Sequence, residues 1–204
     1  MKTIISLIAA VACATAAIGC KKEEDPHAHH KMEAGKLSGA SLYQFHDMFT
    51  DQNGKQMMLH QLQGKYVVVA MFYATCTAIC PRIAAEMLRL EKSLSARQRA
   101  NTRFLMISFD HERDNPANLR KFIEKMRLTD SFVLLTGKPE PIREVAAALG
   151  VNYKKQPAAE PGTSNYEYAH SSVFSLLSPQ GEIVLQHAGL SVSVENFREK
   201  IRDY

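Results

Sequence analysis

Cysteine is scarce in this chain of 204 residues: there are four, and two of them, Cys13 and Cys20, fall within the first twenty residues. The remaining pair, Cys76 and Cys80, is too few for a structural disulfide framework. Long hydrophobic runs are also lacking after the N-terminal one, so no second segment reaches the length needed to cross a bilayer. Excess charge of one sign is missing too. The 25 Lys and Arg residues stand against 21 Asp and Glu, a net +4 that is dispersed, with no basic patch interleaved with aromatics. That excludes nucleic acid as a partner and describes a solvated surface of mixed charge.

What is present bounds the molecule further. With 46% hydrophobic residues, the chain can bury the core of one domain once a leader is set aside. Residues 1–20 read as that leader: Lys2, an uncharged apolar run from Ile4, then Ala17, Ile18 and Gly19 before Cys20. This resembles a bacterial lipoprotein signal, in which Cys20 becomes the lipidated first residue. The alternative is a spanning anchor followed directly by Lys21 and Lys22. Either way the domain is expected to be exported and membrane-anchored, facing the periplasm or the cell exterior. Residues 21–40 are charged, lack an apolar period and end in Gly and Ser, as a flexible tether does. His27, His29, His30 and Met32 within it are soft or borderline ligands that could scavenge metal.

From residue 41 to 204 the pattern is that of one α/β domain. Asn53-Gly54 between short runs predicts an N-terminal β-hairpin. "YVVVAMFY" (66–73) is a β-branched and aromatic run of strand length, expected to be buried on both faces. Ile83, Met87, Leu90 and Leu94 fall at helical spacing after Pro81, so a helix starts near Cys80. "RFLMISFD" (103–110) is a second strand, Asn115 and Pro116 open a second helix, "FVLLTG" (132–137) is a third strand, and a helix closes at Gly150. A long polar loop is expected over 152–170, then two strands joined by Ser178-Pro179-Gln180-Gly181 and a final helix carrying Phe197 and Ile201. Right-handed crossovers make the first strands parallel and gather Cys76 and Asp110 at one sheet edge, where open α/β sheets place their sites.

In an oxidising exported compartment a lone thiol pair must be used, bridged or metallated. A cysteine at a helix start sits in the positive end of the helix dipole, which favours thiolate. Spacing of four residues on a helical turn puts the two sulfurs on one face, which permits a disulfide and equally permits two sulfurs on one metal. Two thiolates leave a metal short of ligands, and eight histidines are available. His46 and His60 read as surface residues and His187 as either surface or site. His111, after the second strand, and His170, before a later strand, both suit a third ligand, and spacing does not choose between them. Met71, Met106 and Met126 read as core fillers, and Met57 and Met58 beside His60 as hairpin packing.

Three ordered stretches, "FYATCTAICP", "SFDHERDNPANL" and "YEYAHSSVFSLLSPQGEIV", resemble the signature blocks of the Sco/SenC family over roughly Ser41 to the C-terminus. The resemblance implies a thioredoxin-like fold, a mixed sheet flanked by helices. It nominates Cys76, Cys80 and His170 as ligands of copper, Cu(I) or Cu(II), or Cys76 and Cys80 as a reversible disulfide, with Asp110 and Asp114 supporting. It implies a monomeric copper carrier that serves the copper-bearing subunit of cytochrome c oxidase or another carrier, or else a thiol-disulfide oxidoreductase that reduces cysteines of that site. Many family members carry Pro and an acid where this chain has Thr77 and Ala78, and Asp where it has Ala169. Losing two negative charges there shifts the balance toward Cu(I) or thiol chemistry. The Pro-x-x-x-Thr-x-x-Cys lead of a peroxidase is absent, since Thr75 has no partner proline.

Overall fold

A strand buried along its whole length organises the domain. The computed structural model describes residues 41–157 and 166–201. In chain order the elements are β1 (Phe49–Asp51), β2 (Gln56–Met57), β3 (Tyr66–Phe72), α1 (Ile79–Ser93), α2 (Ala96–Ala100), β4 (Thr102–Ser108) and α3 (Pro116–Met126). They continue with β5 (Phe132–Gly137), α4 (Pro139–Ala148), β6 (Tyr153–Gln156), β7 (Glu167–His170), β8 (Val173–Leu177), β9 (Ile183–Ala188) and α5 (Val194–Lys200). Seven strands form one mixed sheet in the order β2-β1-β5-β4-β3-β8-β9. β3, β4 and β5 run parallel, while β1 and β8 add antiparallel on either side.

The sequence accounts for this centre. Every residue of β3 is buried, as a Val-rich strand covered by layers on both faces must be. Each fully buried Val or Phe there contributes roughly 1.5–3 kcal/mol. The crossover β3-α1-β4, with β8, β9 and α5 completing the order β4-β3-β8-β9, is the thioredoxin-like plan. α1 buries Ile83, Met87 and Leu90 on one face, with Pro81 in its first turn. α3 opens as its sequence reads: the Asn115 side chain accepts a hydrogen bond from the Asn118 N–H, and Pro116 takes the first helical position. Met71 and Met106 are core, and Met57, Met58 and Met126 are half-buried.

β1 and β2 pair antiparallel around Asn53 and Gly54, with Phe49 opposite Met57. The Asp51 carboxylate accepts from the Asn53 and Lys55 amides, each at 2.8 Å, which pins that turn. Near the other edge, Gly181 sits at φ 82° with its carbonyl accepting from the Leu42 N–H, and the place of a Cβ there lies 2.5 Å from Ser41 and Tyr43 side-chain atoms. Only glycine fits both the turn and that close approach.

The reading of 152–170 as a long polar loop is corrected. Tyr153–Gln156 and Glu167–His170 pair antiparallel as a separate two-stranded ribbon, with Tyr153 opposite His170. Tyr166, Tyr168 and His170 alternate, the period-two pattern of a strand face, over a stretch too short and too polar to stand out from a loop. The leader 1–20 with Cys20, the tether 21–40 with its histidines, and residues 158–165 lie outside the described residues. Among the described residues no helix is long and apolar enough to cross a membrane.

Candidate metal centre

The site forms where β3 hands the chain to α1. Ala78 caps α1 but supplies no side-chain acceptor for its first amides. The Cys76 sulfur, two residues earlier, fills that role by accepting from the Cys80 N–H at 3.3 Å. The pair therefore does not share one helical turn: Cys76 lies outside the helix, and Cys80 is inside its first turn. The Cys80 sulfur in turn accepts from the Tyr73 N–H at 3.4 Å. Both thiols are free and buried, Cys76 with 5% of its surface exposed and Cys80 with none.

The two thiols have opposite proton affinities. The Cys80 S–H donates to the Cys76 sulfur, and with further donation from backbone N–H groups this holds Cys76 far below the usual thiol range despite burial. The same hydrogen bond, with burial added, pushes Cys80 well above it. Of the two, Cys76 is the one that favours the thiolate and Cys80 the one that favours the thiol.

His170 reaches this pair from the end of β7. Its Nε2 lies 3.9 Å from the Cys80 sulfur, and one ligand atom from each of Cys76, Cys80 and His170 falls within 4.8 Å of the others. The Nδ1 atom is 3.2 Å from the Ser171 carbonyl, which can only accept, so in the neutral ring Nδ1 carries the proton and Nε2 presents its lone pair to the sulfurs. A metal at ordinary ligand distances holds such atoms about 3.5–4 Å apart, so the trio needs only slight contraction. Two thiolate sulfurs and an imidazole suit a soft first-row metal.

Aromatic rings wall the trio. The His170 ring stands edge-on to Tyr73 at 6.1 Å and packs against Phe109 at 5.1 Å. Phe109 also stacks on Tyr153 at 4.9 Å and meets Tyr168 at 5.1 Å. The ribbon is thus seated on the site through Phe109 and Tyr73. A cleft lined by Tyr73, Thr75, Arg113, Gln156, Tyr168 and Ala169 opens beside it.

Asp110 and Asp114 are close by but are committed to structure. Asp114 Oδ2 accepts from the Ala74 N–H at 2.8 Å and from the Ser108 hydroxyl at 2.5 Å, which anchors the loop bearing Cys76 to the turn after β4. Burial raises its carboxyl to about 6 against those donors, and its Oδ1 has no partner. Asp110 is fully buried, paired with Arg113 and accepting from the Tyr166 hydroxyl at 2.6 Å. Sequence reading missed Arg113, Tyr166, Tyr73 and Ser171; the alternation of Tyr166, Tyr168 and His170 was the available signal for the first two contacts.

Of the other histidines, His46, His60 and His111 are exposed and His187 is half-buried in β9. Among the described residues, Cys76, Cys80 and His170 are the one group of three metal-capable side chains gathered in this way.

Comparison with known proteins agrees with this geometry. The SCO1/SenC family model matches residues 38–204. A protein of Stutzerimonas stutzeri whose name refers to copper binding is 30% identical over 133 residues, 65% of this chain and 63% of its own length, so the matched stretch is less than two thirds of that relative. The copper-bound structure of Bradyrhizobium japonicum ScoI is 26% identical with a TM-score of 0.61, covering 76% of this chain and 94% of that one. The structure of BsSco, described as having a disulfide switch and as a member of the Sco family of cytochrome c oxidase assembly proteins, is also 26% identical with a TM-score of 0.61, covering 76% and 88%. With the family model matching residues 38–204 and the thioredoxin-like plan holding a Cys-Cys-His trio, this chain belongs to the SCO1/SenC family.

Proposed function

We propose that the chain binds one copper ion through Cys76, Cys80 and His170 and passes it to the copper-bearing subunit of cytochrome c oxidase or to another copper carrier. The observation that carries this is the trio itself: two buried sulfurs and an imidazole whose remote nitrogen is tied off by Ser171. The copper-bound relative and the oxidase-assembly relative support it. Both cysteines bind as thiolates, so loading releases any thiol proton and weakens as pH falls. Two thiolates hold Cu(I), and the imidazole adds the borderline donor that stabilises Cu(II). Export behind the 1–20 leader, with lipid on Cys20 and the 21–40 tether spacing a monomeric domain from a membrane, completes the proposal.

Anaerobic titration of the reduced full chain tests it. One equivalent of Cu(I) is expected for wild type and none of comparable affinity for the Cys76→Ser, Cys80→Ser double variant. Retention of one tight equivalent by the double variant refutes the reading.

The unequal thiols favour a second reading, reduction of a partner disulfide. The Cys76 thiolate attacks one partner sulfur and expels the other as thiolate; Cys80 then loses its proton, attacks Cys76 and frees the second partner thiolate. Two electrons pass to the partner and Cys76–Cys80 is left oxidised. Cys80 is fully buried and hard to deprotonate, a slow resolving thiol, so carriage of copper stands first. Trapping of a Cys76 mixed disulfide in a Cys80→Ser variant is the outcome this second reading requires.

A further inference from the structure

The ligands come from two separate pieces of chain, the 73–80 segment and the ribbon, and one short turn touches both. Residues 110–114 follow β4. Asp114 holds the cysteine segment through the Ala74 amide. Asp110 and Arg113 hold the ribbon through Tyr166, the residue before β7.

The contacts on Tyr166 are numerous and directional. Its hydroxyl donates to Asp110 Oδ1 at 2.6 Å, and its carbonyl accepts from Arg113 Nη1 at 2.9 Å. Its ring lies between two cations, the Arg113 guanidinium and the Lys155 ammonium, each 3.7 Å from the ring centroid. Each cation has its own acid: Arg113 pairs with Asp110, and Lys155 with Glu112 at 2.5 Å. Lys155 belongs to β6, so both strands of the ribbon are bound to the 110–114 turn at this point. The ribbon also packs its rings on the site, Tyr153, Tyr168 and His170 on Phe109 and Tyr168 and His170 on Tyr73, and ring packing constrains orientation less than hydrogen bonds do.

We propose that Tyr166 is the positioning residue of the metal centre: clasped by Asp110, Arg113 and Lys155, it registers the ribbon on the 110–114 turn and so sets His170 over the cysteine pair. The proposal rests on the copper reading of His170. Tyr166, Tyr168 and His170 share one strand face, so a shift of Tyr166 carries to the imidazole along a single β-strand. Two of the three ligands belong to the turn-anchored segment and the third to the clasped ribbon. Loosening the clasp therefore withdraws the imidazole while leaving both sulfurs in place.

The test compares Tyr166→Phe, Tyr166→Leu and His170→Ala with wild type in the full chain, reduced. In metal-free protein the His170 Cε1–H resonance is followed, because the Phe109 and Tyr73 rings displace it. Cu(II) affinity is measured by competition, and nitrogen hyperfine structure by electron paramagnetic resonance. Tyr166→Phe keeps the ring between its cations and drops only the Asp110 bond; it is expected to move the imidazole resonance toward its unshifted position and to lower Cu(II) affinity about tenfold, the lower end for a lost support of a ligand. Tyr166→Leu is expected to lose up to about 100-fold and to approach the His170→Ala spectrum. Cu(I), held by two thiolates, is expected to bind all variants as it binds wild type. A wild-type resonance and wild-type Cu(II) affinity in Tyr166→Phe overturn the proposal whether or not Tyr166→Leu folds. If His170→Ala itself binds Cu(II) like wild type, the copper reading of His170 fails, and the metal-free resonance still decides the clasp.

Discussion

Replacing Asp114 by Asn is expected to change how stability depends on pH. Asp114 is 3% exposed, and burial raises its carboxyl from 3.8 to about 6 even though Ser108 and Ala74 donate to it. A carboxyl whose folded pKa is raised binds its proton more tightly folded than unfolded, so stability is full below the unfolded value and falls as pH rises through the folded one. Across that window wild type loses about 3 kcal/mol from this group, taking about 1.4 kcal/mol per unit. For a domain of this size that is about 6–12 °C in melting temperature. Asn cannot ionise, so it omits this loss, but its amide buries N–H groups at the unpartnered Oδ1 position and costs about 1–3 kcal/mol at every pH. The variant is therefore expected to be weaker than wild type at pH 4 and to match or exceed its stability by pH 7. Urea unfolding of reduced, metal-free protein at pH 4, 5, 6 and 7 gives the difference between the two, in which other titrating groups cancel. A gap that stays constant across those pH values refutes the argument.

Iodoacetamide at pH 5 is expected to modify Cys76 while sparing the fully buried Cys80, because Cys76 remains thiolate there; mass spectrometry of the quenched protein reads the ratio. Cys80→Ala removes the S–H donor that favours this thiolate, so Cys76 labelling at pH 5 is expected to slow, about tenfold for each unit by which the pKa rises above that pH. Gly181→Ala places a Cβ 2.5 Å from Ser41 and Tyr43 atoms at a left-handed φ of 82°, and a loss of about 2 kcal/mol or more is expected in the urea midpoint.

Much of the fold was legible because its signals are local. The run 66–73 is apolar at every position, Pro81 and the spacing of Ile83 and Met87 mark α1, and Asn115-Pro116 marks the start of α3. The ribbon was missed because residues 152–156 and 166–170 are short, polar and paired with each other rather than with the core sheet, so hydrophobic periodicity had little to report. Within the site, Cys76 and Cys80 stood out as the thiols left after the leader, and the block resemblance named His170. The geometry of the pair was less visible. A spacing of four read as one helical turn, whereas Cys76 stands outside α1 and caps it. Asp110 and Asp114 read as residues supporting the site, and each fixes a neighbouring segment.

The sequence by itself determined that this chain forms an α/β domain with one thiol pair at a strand-to-helix junction, because alternation, helical spacing and capping act over a few residues. It also carried the three blocks that identify the family. Only the tertiary structure decided that His170 rather than His111 meets the sulfurs, that Cys76 caps the helix carrying Cys80, and that Tyr166 ties the ribbon to the turn beneath it. Those facts depend on residues up to ninety positions apart being brought within 4 Å, which sheet order and the pairing of β6 with β7 accomplish and which no local pattern encodes.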